Sequence, residues 1–288
     1  MKKFIKKFTT QQQRRKLSLF YQSTTRKMDA LSGKFVNLIP SGTRVFLKTH
    51  LSIHKPLDYA KEKILIDVSS GIEKSIRTRS CAKEPETVQW IETFQKGDVF
   101  WDIGANIGAY SLVAAKYHHG QVPVVAIEPS FLNFSQLCKN IALNQCDDSI
   151  TPFNIALSKK TQIGKFNYQN FDMGGAEHAF GEAVDHHDQA FKPVFKQNLM
   201  SFKIDDLIDV FALPMPDHIK LDVDSIELEI LKGAEKVLSQ LQSLLVEIGD
   251  DDKELFSYIV TAGFKLDQKF PIGHGSNLAN CIFVKEPI

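Results

Sequence analysis

Residues 99–108, Val-Phe-Trp-Asp-Ile-Gly-Ala-Asn-Ile-Gly, constrain the fold of this chain more than any other stretch. A short apolar run ends at Asp102, and Gly104, Asn106 and Gly108 follow at alternate positions as a helical pattern over 107–118 begins. A strand feeding a glycine turn and then a helix N-terminus builds a concave site lined by amides, favourable for a carboxylate or phosphate. Glycine serves where a Cβ would block a left-handed bend or the close approach of a ligand. The expectation is that the N–H groups of 104–108 face a bound anion. A dinucleotide turn, G-x-G-x-x-G, would need glycine at 106 and 109, where this chain has Asn106 and Ala109.

Around this turn the periodicity alternates. Strand patterns at 99–103, 122–127, 150–156, 217–222 and 243–248 are separated by helical patterns at 107–118, 130–144, 225–240 and 251–262. Such alternation predicts a parallel sheet with helices on both faces. Ahead of it, 64–68 and 72–78 around Ser69-Ser70-Gly71 read as a hairpin, and 84–95 as a helix started by Pro85 and stopped by Gly97. Extended runs at 264–270 and 280–285 read as a terminal hairpin. The predicted organisation is a basic extension over 1–59, a lead-in over 60–98 and the α/β domain over 99–288. About 60 residues separate the third and fourth strands, read as a hairpin at 163–171 and a loop at 172–198. A connection that long points to a lid above the strand tips, with Gly174-Gly175 either as its hinge or as an ordinary turn.

The chain has 288 residues, 43% of them hydrophobic, enough for one large domain plus an extension. A net charge of +1 gives no bulk electrostatic case for nucleic acid as the partner. Residues 1–28 nevertheless carry nine Lys or Arg and no acid, interrupted by Phe4, Ile5, Phe8, Leu17 and Phe20. They read either as a solvated tail or as a basic segment lying on an anionic membrane. No window approaches a membrane-spanning length. Cys81, Cys138, Cys146 and Cys281 form no C-x-x-C pair, so a reduced, cytoplasmic protein without a zinc site is the simplest reading.

Four segments carry a resemblance: Lys83-Glu84-Pro85-Glu86-Thr87-Val88-Gln89-Trp90-Ile91, the Asp102–Gly108 turn, Val125-Ala126-Ile127-Glu128-Pro129, and Ile219-Lys220-Leu221-Asp222-Val223-Asp224-Ser225-Ile226-Glu227. Over roughly 83–286 the chain resembles the FkbM-type methyltransferases, which depend on S-adenosylmethionine (SAM). The resemblance implies a class I methyltransferase fold: Rossmann-like, α/β, a mostly parallel seven-stranded sheet with helices on both faces and a C-terminal antiparallel hairpin. It implies an enzyme that methylates a hydroxyl of a sugar or secondary metabolite, with a small molecule or glycan as acceptor. Asp102, Gly104, Asn106 and Gly108 would hold the amino-acid end of SAM. Glu128, ending the second strand, would accept from the ribose hydroxyls, and Ala156 with Leu157 would line the adenine edge. Two other readings stay open, an NAD-dependent oxidoreductase and a non-catalytic SAM-fold binding protein.

Acids around the fourth and fifth strands are the candidates for a catalytic base: Asp222 at a strand tip, Glu227 in the first turn of the next helix, and Glu247 at the end of the fifth strand. Carboxylates near a helix start also serve as caps, which would explain Asp224 and Glu227 without catalysis. The family resembles Asp-Val-Glu-Gly-x-Glu here, and this chain has Asp224 for the Glu and Ser225 for the Gly. No metal site is assigned. His186-His187 between Asp185 and Asp188 reads as a polar lid segment rather than a ligand set.

Overall fold

Side chains alternate between two faces along each central strand, so the strands serve two separate cores. The computed structural model describes residues 35–176, 178–183, 190–223, 226–272 and 277–286. The chain divides after Ser52 into two compact units. In the first, α1 (Ser41–His50) has no buried side chain. The basic segment 1–28 and the His186-His187 pair lie outside the described residues.

The second unit opens with an antiparallel hairpin, β1 (His54–Pro56) and β2 (Leu65–Asp67). A helical run follows: α2 (Gly71–Ser75), a 3-10 turn (Arg77–Arg79), α3 (Ser80–Lys83) and α4 (Pro85–Ile91). Then β3 (Phe100–Ile103), α5 (Ala109–Tyr117), β4 (Val124–Ile127), α6 (Phe131–Leu143) and β5 (Ile150–Phe153) alternate. The chain next builds a second sheet from β6 (Ala156–Leu157), β7 (Gln162–Tyr168), β8 (Ala179–Phe180) and β9 (Phe195–Phe202), followed by α7 (Ile204–Phe211). It returns through β10 (His218–Leu221), α8 (Glu227–Leu231), α9 (Glu235–Gln240), β11 (Ser243–Gly249) and α10 (Lys253–Thr261). The antiparallel pair β12 (Phe264–Pro271) and β13 (Leu278–Lys285) ends it.

The main sheet has seven strands in the order β12-β13-β11-β10-β3-β4-β5, parallel from β11 to β5, with β13 antiparallel to β11. Phe100, Val124, Ala126 and Leu245 join the core under α5, α6 and the lead-in. Trp101, Ile103, Val125, Ile127, Ile219 and Leu244 face α7 to α10. No helix among the described residues is long and apolar enough to cross a membrane.

Several local readings change. Residues 71–75 are helical, not a strand, because Ser70 and Glu73 form a reciprocal capping box; the hairpin partner of β2 is β1. The third strand stops at Phe153, and β6 leaves the main sheet to pair with β9. β7 pairs along its length with the distant β9 rather than forming a local hairpin over 163–171. The 225–240 helix is two helices, since Gly233 passes the Ser158 carbonyl where a Cβ would lie 2.7 Å from the oxygen.

β2 is an edge strand, and α6 satisfies its outer backbone with amides spaced four residues apart. Gln136 Nε2 donates to Asp67 O (2.6 Å), Asn140 Oδ1 accepts from Asp67 N (2.8 Å), and Asn144 pairs with both the N–H and the carbonyl of Leu65. Asn140 Nδ2 also donates to Ile107 O at 2.9 Å, tying the hairpin to the turn after β3. Replacing Asn140 with Leu strands these buried groups, each worth about 1–3 kcal/mol when unpaired. Asn140→Leu should therefore lower unfolding free energy by about 3 kcal/mol in urea titration. An unchanged midpoint would show that the hairpin is held by apolar contact alone.

Candidate active site

The carboxyl ends of β3, β4, β10 and β11 open into one cleft of about 190 Å3, the crevice where α/β sheets place ligands. Of the residues expected from sequence, Gly104, Asn106, Glu128, Ala156, Asp222 and Glu247 line it. Asp102, Gly108 and Glu227 are not on its wall.

The turn is built by three left-handed residues in alternation, Gly104 (φ +81), Asn106 (φ +52) and Gly108 (φ +86). A Cβ on Gly104 would lie 1.9 Å from the Asp222 carbonyl oxygen, and one on Gly108 would lie 2.4 Å from Leu137 Cδ1. This curl directs the amides inward. Gly104 and Ala105 donate to Ile127 O, Asn106 to Glu128 Oε2 (2.8 Å), Ile107 to Asn106 Oδ1 and Gly108 to Ala105 O. The expected row of free N–H groups is therefore absent: each amide from 104 to 108 has a partner within the chain. Asp102 is wholly buried beneath the turn, where Ser111 Oγ donates to its Oδ2 at 2.5 Å while Oδ1 has no hydrogen-bond partner. Burial raises its carboxyl pKa, against the opposing pull of Lys220 and Ser111.

Glu128 ends β4 with each oxygen held by one amide, Oε1 by Ser130 N and Oε2 by Asn106 N, both at 2.8 Å. Burial pushes its carboxyl up to about 7, although those amides and Arg77 favour the charged form. The loop expected as a lid hinge is tied down on every side. Gly175 O accepts from Asn106 Nδ2 (2.9 Å) and Asn133 Nδ2 (3.0 Å), Gly174 O from Arg77 Nε (2.8 Å), and Met173 O from Ser70 Oγ (2.7 Å).

Asp222 Oδ2 accepts from Lys220 Nζ at 2.7 Å, with the Asp222 side chain 40% exposed and that of Lys220 only 2%. Burial of the strand tip disfavours the Asp222 charge, but Lys220, Lys83 and Arg77 outweigh it and hold the carboxyl below its ordinary range. Burial likewise opposes charge on Lys220, yet Asp222, Asp102 and Glu84 together raise its pKa. Tyr110 adds its ring face, 5.2 Å from Nζ. Glu227 is buried and accepts from Val223 N at 3.4 Å. Glu247 stands on β11 opposite Asn280.

Four cleft or near-cleft residues had no role in the sequence reading: Arg77, Lys83, His178 and Lys220. Lys220 carried a signal, a lysine inside an apolar parallel strand, where charge survives only if paired. Arg77 carried none, sitting in a segment read as a strand. His178 lines the cleft, and burial drives its imidazole down to about 4, so it is neutral at ordinary pH. Among the described residues no group of three His, Cys, Asp or Glu side chains is arranged to hold a metal.

The sequence profile of the methyltransferase FkbM domain matches residues 102–266. The hexuronic acid methyltransferase AglP of Haloferax volcanii is 24% identical over 217 residues, 72% of this chain and 83% of that protein. Methyltransferase sdnD of Sordaria araneosa is 26% identical over 155 residues, 47% of this chain and 60% of that protein. Among solved structures, M. jannaschii TYW2 in complex with AdoMet is 15% identical, with a TM-score of 0.44 covering 82% of this chain and 87% of that chain.

Removing a buried cation strands the carboxylates gathered around it. Lys220→Met should cost about 3–5 kcal/mol of unfolding free energy, the usual penalty for breaking a buried pair from one side. Denaturant titration measures it, and a loss under about 1 kcal/mol would mean that the carboxylates around Lys220 are satisfied without it.

Proposed function

The chain belongs to the FkbM methyltransferase family, and from that premise we propose that its cleft binds SAM and that it methylates a sugar hydroxyl. One observation carries the cofactor reading. Glu128 stands on the cleft wall with one backbone amide on each oxygen and the Asn133 side chain beside it, and its carboxylate has acceptor capacity to spare for vicinal ribose hydroxyls. The walls fit the rest of the molecule. Ala156, Leu157 and Phe166 offer an apolar surface to a base, and Gly104 with Asn106 brings backbone close to the amino-acid end. Asp102 and Gly108 support the turn from behind.

When bound, SAM supplies an electrophilic methyl group on a sulfonium. The residues of this chain align the acceptor with it. Asp222, kept ionised by Lys220, accepts from the acceptor hydroxyl and fixes its oxygen in line, an alignment worth up to roughly 7–11 kcal/mol in well-oriented systems. Taking the proton as the new bond forms adds about 10²–10⁴-fold. Glu247 is the second carboxylate on the acceptor side. Glu227 acts one step back, through the Val223 amide. The choice of a sugar rests on the Haloferax relative being a hexuronic acid methyltransferase.

Two experiments test this reading. Calorimetry should show stoichiometric SAM binding that weakens as pH falls through about 7, since protonating Glu128 removes an acceptor from the ribose. The dependence should vanish in Glu128→Gln, with affinity down at least tenfold, on the order of one or two hydrogen bonds. No heat with SAM would overturn the assignment. Labelled SAM incubated with hexuronic-acid glycans should transfer its methyl group, and Asp222→Asn should slow transfer by about 10²–10⁴-fold while SAM affinity changes little. Equal rates in the variant would remove Asp222 from catalysis.

A further inference from the structure

We propose that Arg77 and Lys83, contributed by the lead-in ahead of the family-matched segment, clamp the carboxylate of SAM; the inference rests on the SAM reading above. The turn that would ordinarily receive this carboxylate has spent its amides: all five from Gly104 to Gly108 are bonded within the chain. The N-terminus of α5 faces the buried Asp102, whose carboxylate takes the Ser111 hydroxyl. A ligand carboxylate entering the cleft would also meet Glu128, Asp222 and Glu247, a field that repels it. Among the described residues, Arg77 and Lys83 are the Arg and Lys side chains on the cleft wall.

Their placement suits the task. Arg77 Nε is bonded to Gly174 O at 2.8 Å, and the neighbouring Gly175 O takes Asn106 Nδ2 at 2.9 Å, so the guanidinium is anchored next to the turn. Its terminal nitrogens have no hydrogen-bond partner among the described residues, leaving a planar fork for a carboxylate. Lys83 Nζ bonds Glu84 Oε1 at 2.6 Å and its side chain is 48% exposed, so it can turn to a second anion. The scaffold beneath is fixed. Ser70 both caps α2 and donates to Met173 O, and a Cβ on Gly174 would lie 3.0 Å from Glu73 Cγ and 3.3 Å from Arg77 Cγ.

Decarboxylated SAM, which keeps the sulfonium and the ammonium, isolates the contact. By calorimetry the full chain should bind SAM roughly 10- to 100-fold tighter than decarboxylated SAM, as for hydrogen bonds to charged groups. In Arg77→Met and in Lys83→Met that preference should shrink about tenfold each, with decarboxylated SAM binding as in the parent chain. Lys83→Met removes a half-exposed side chain and leaves Glu84 the neighbouring Lys220 as a cation, so it keeps the test alive should Arg77→Met fail to fold. Variants that retain the full preference would overturn the clamp while leaving SAM binding intact. A chain that binds neither compound would overturn the cofactor reading, and the clamp with it.

Discussion

Gly104 lies against the carbonyl of Asp222 with no room for a side chain, and this backbone contact is the constraint on which the site depends. It joins the tips of β3 and β10, adjacent parallel strands whose register sets Asp102 beside Lys220. The turn and the candidate base therefore share one wall, and neither can shift without the other. A left-handed φ at Gly104 is what permits the approach, since an L side chain would meet both the strained dihedral and the carbonyl.

The same junction sets the electrostatics. A cation on the inner face of the central strand would be costly alone, and it persists here because Asp102, Asp222 and Glu84 surround it. Two strand-tip acids then diverge. Glu128, buried beyond direct contact with a cation, is pushed upward, whereas Asp222, bonded to Lys220, is pulled down. A low pKa keeps Asp222 ionised, a constant hydrogen-bond acceptor, while Glu128 exchanges its proton near neutrality.

Much of this was legible in the sequence because it follows from short-range pattern. The alternating strands and helices, the terminal hairpin and the cleft positions of Gly104, Glu128 and Asp222 all reflect periodicity or a turn whose geometry is local. What escaped depended on distant partners. Ile72–Thr78 has a strand-like composition, and only the Ser70–Glu73 reciprocity makes its start a helix. The direction of the turn amides could not be read from glycine spacing, since Ile127 O and Glu128 draw them inward from the next strand. Arg77 became visible only when the fold brought a loop from residues 172–175 against it.

The lead-in is no appendage to the sheet. Its apolar residues Ile64, Ile66, Val88 and Ile91 share one core with α5 and α6. Trp90 Nε1 donates to Ser243 Oγ at 2.9 Å, and Glu86 accepts from Asn280 Nδ2 at 2.9 Å, which pins α4 to β11 and β13. β2, at the other end of the lead-in, is pinned to α6 by Asn140 and Asn144. Between these anchors lie Arg77 and Lys83. The backbone that carries them is therefore fixed at both ends, and Arg77 is further anchored through Nε to Gly174 O, as a preorganised binding group requires. The segment 102–266 thus holds the turn, Glu128, Asp222 and Glu247 together with Lys220, while Arg77 and Lys83, the further cations beside those acids, come from residues ahead of it.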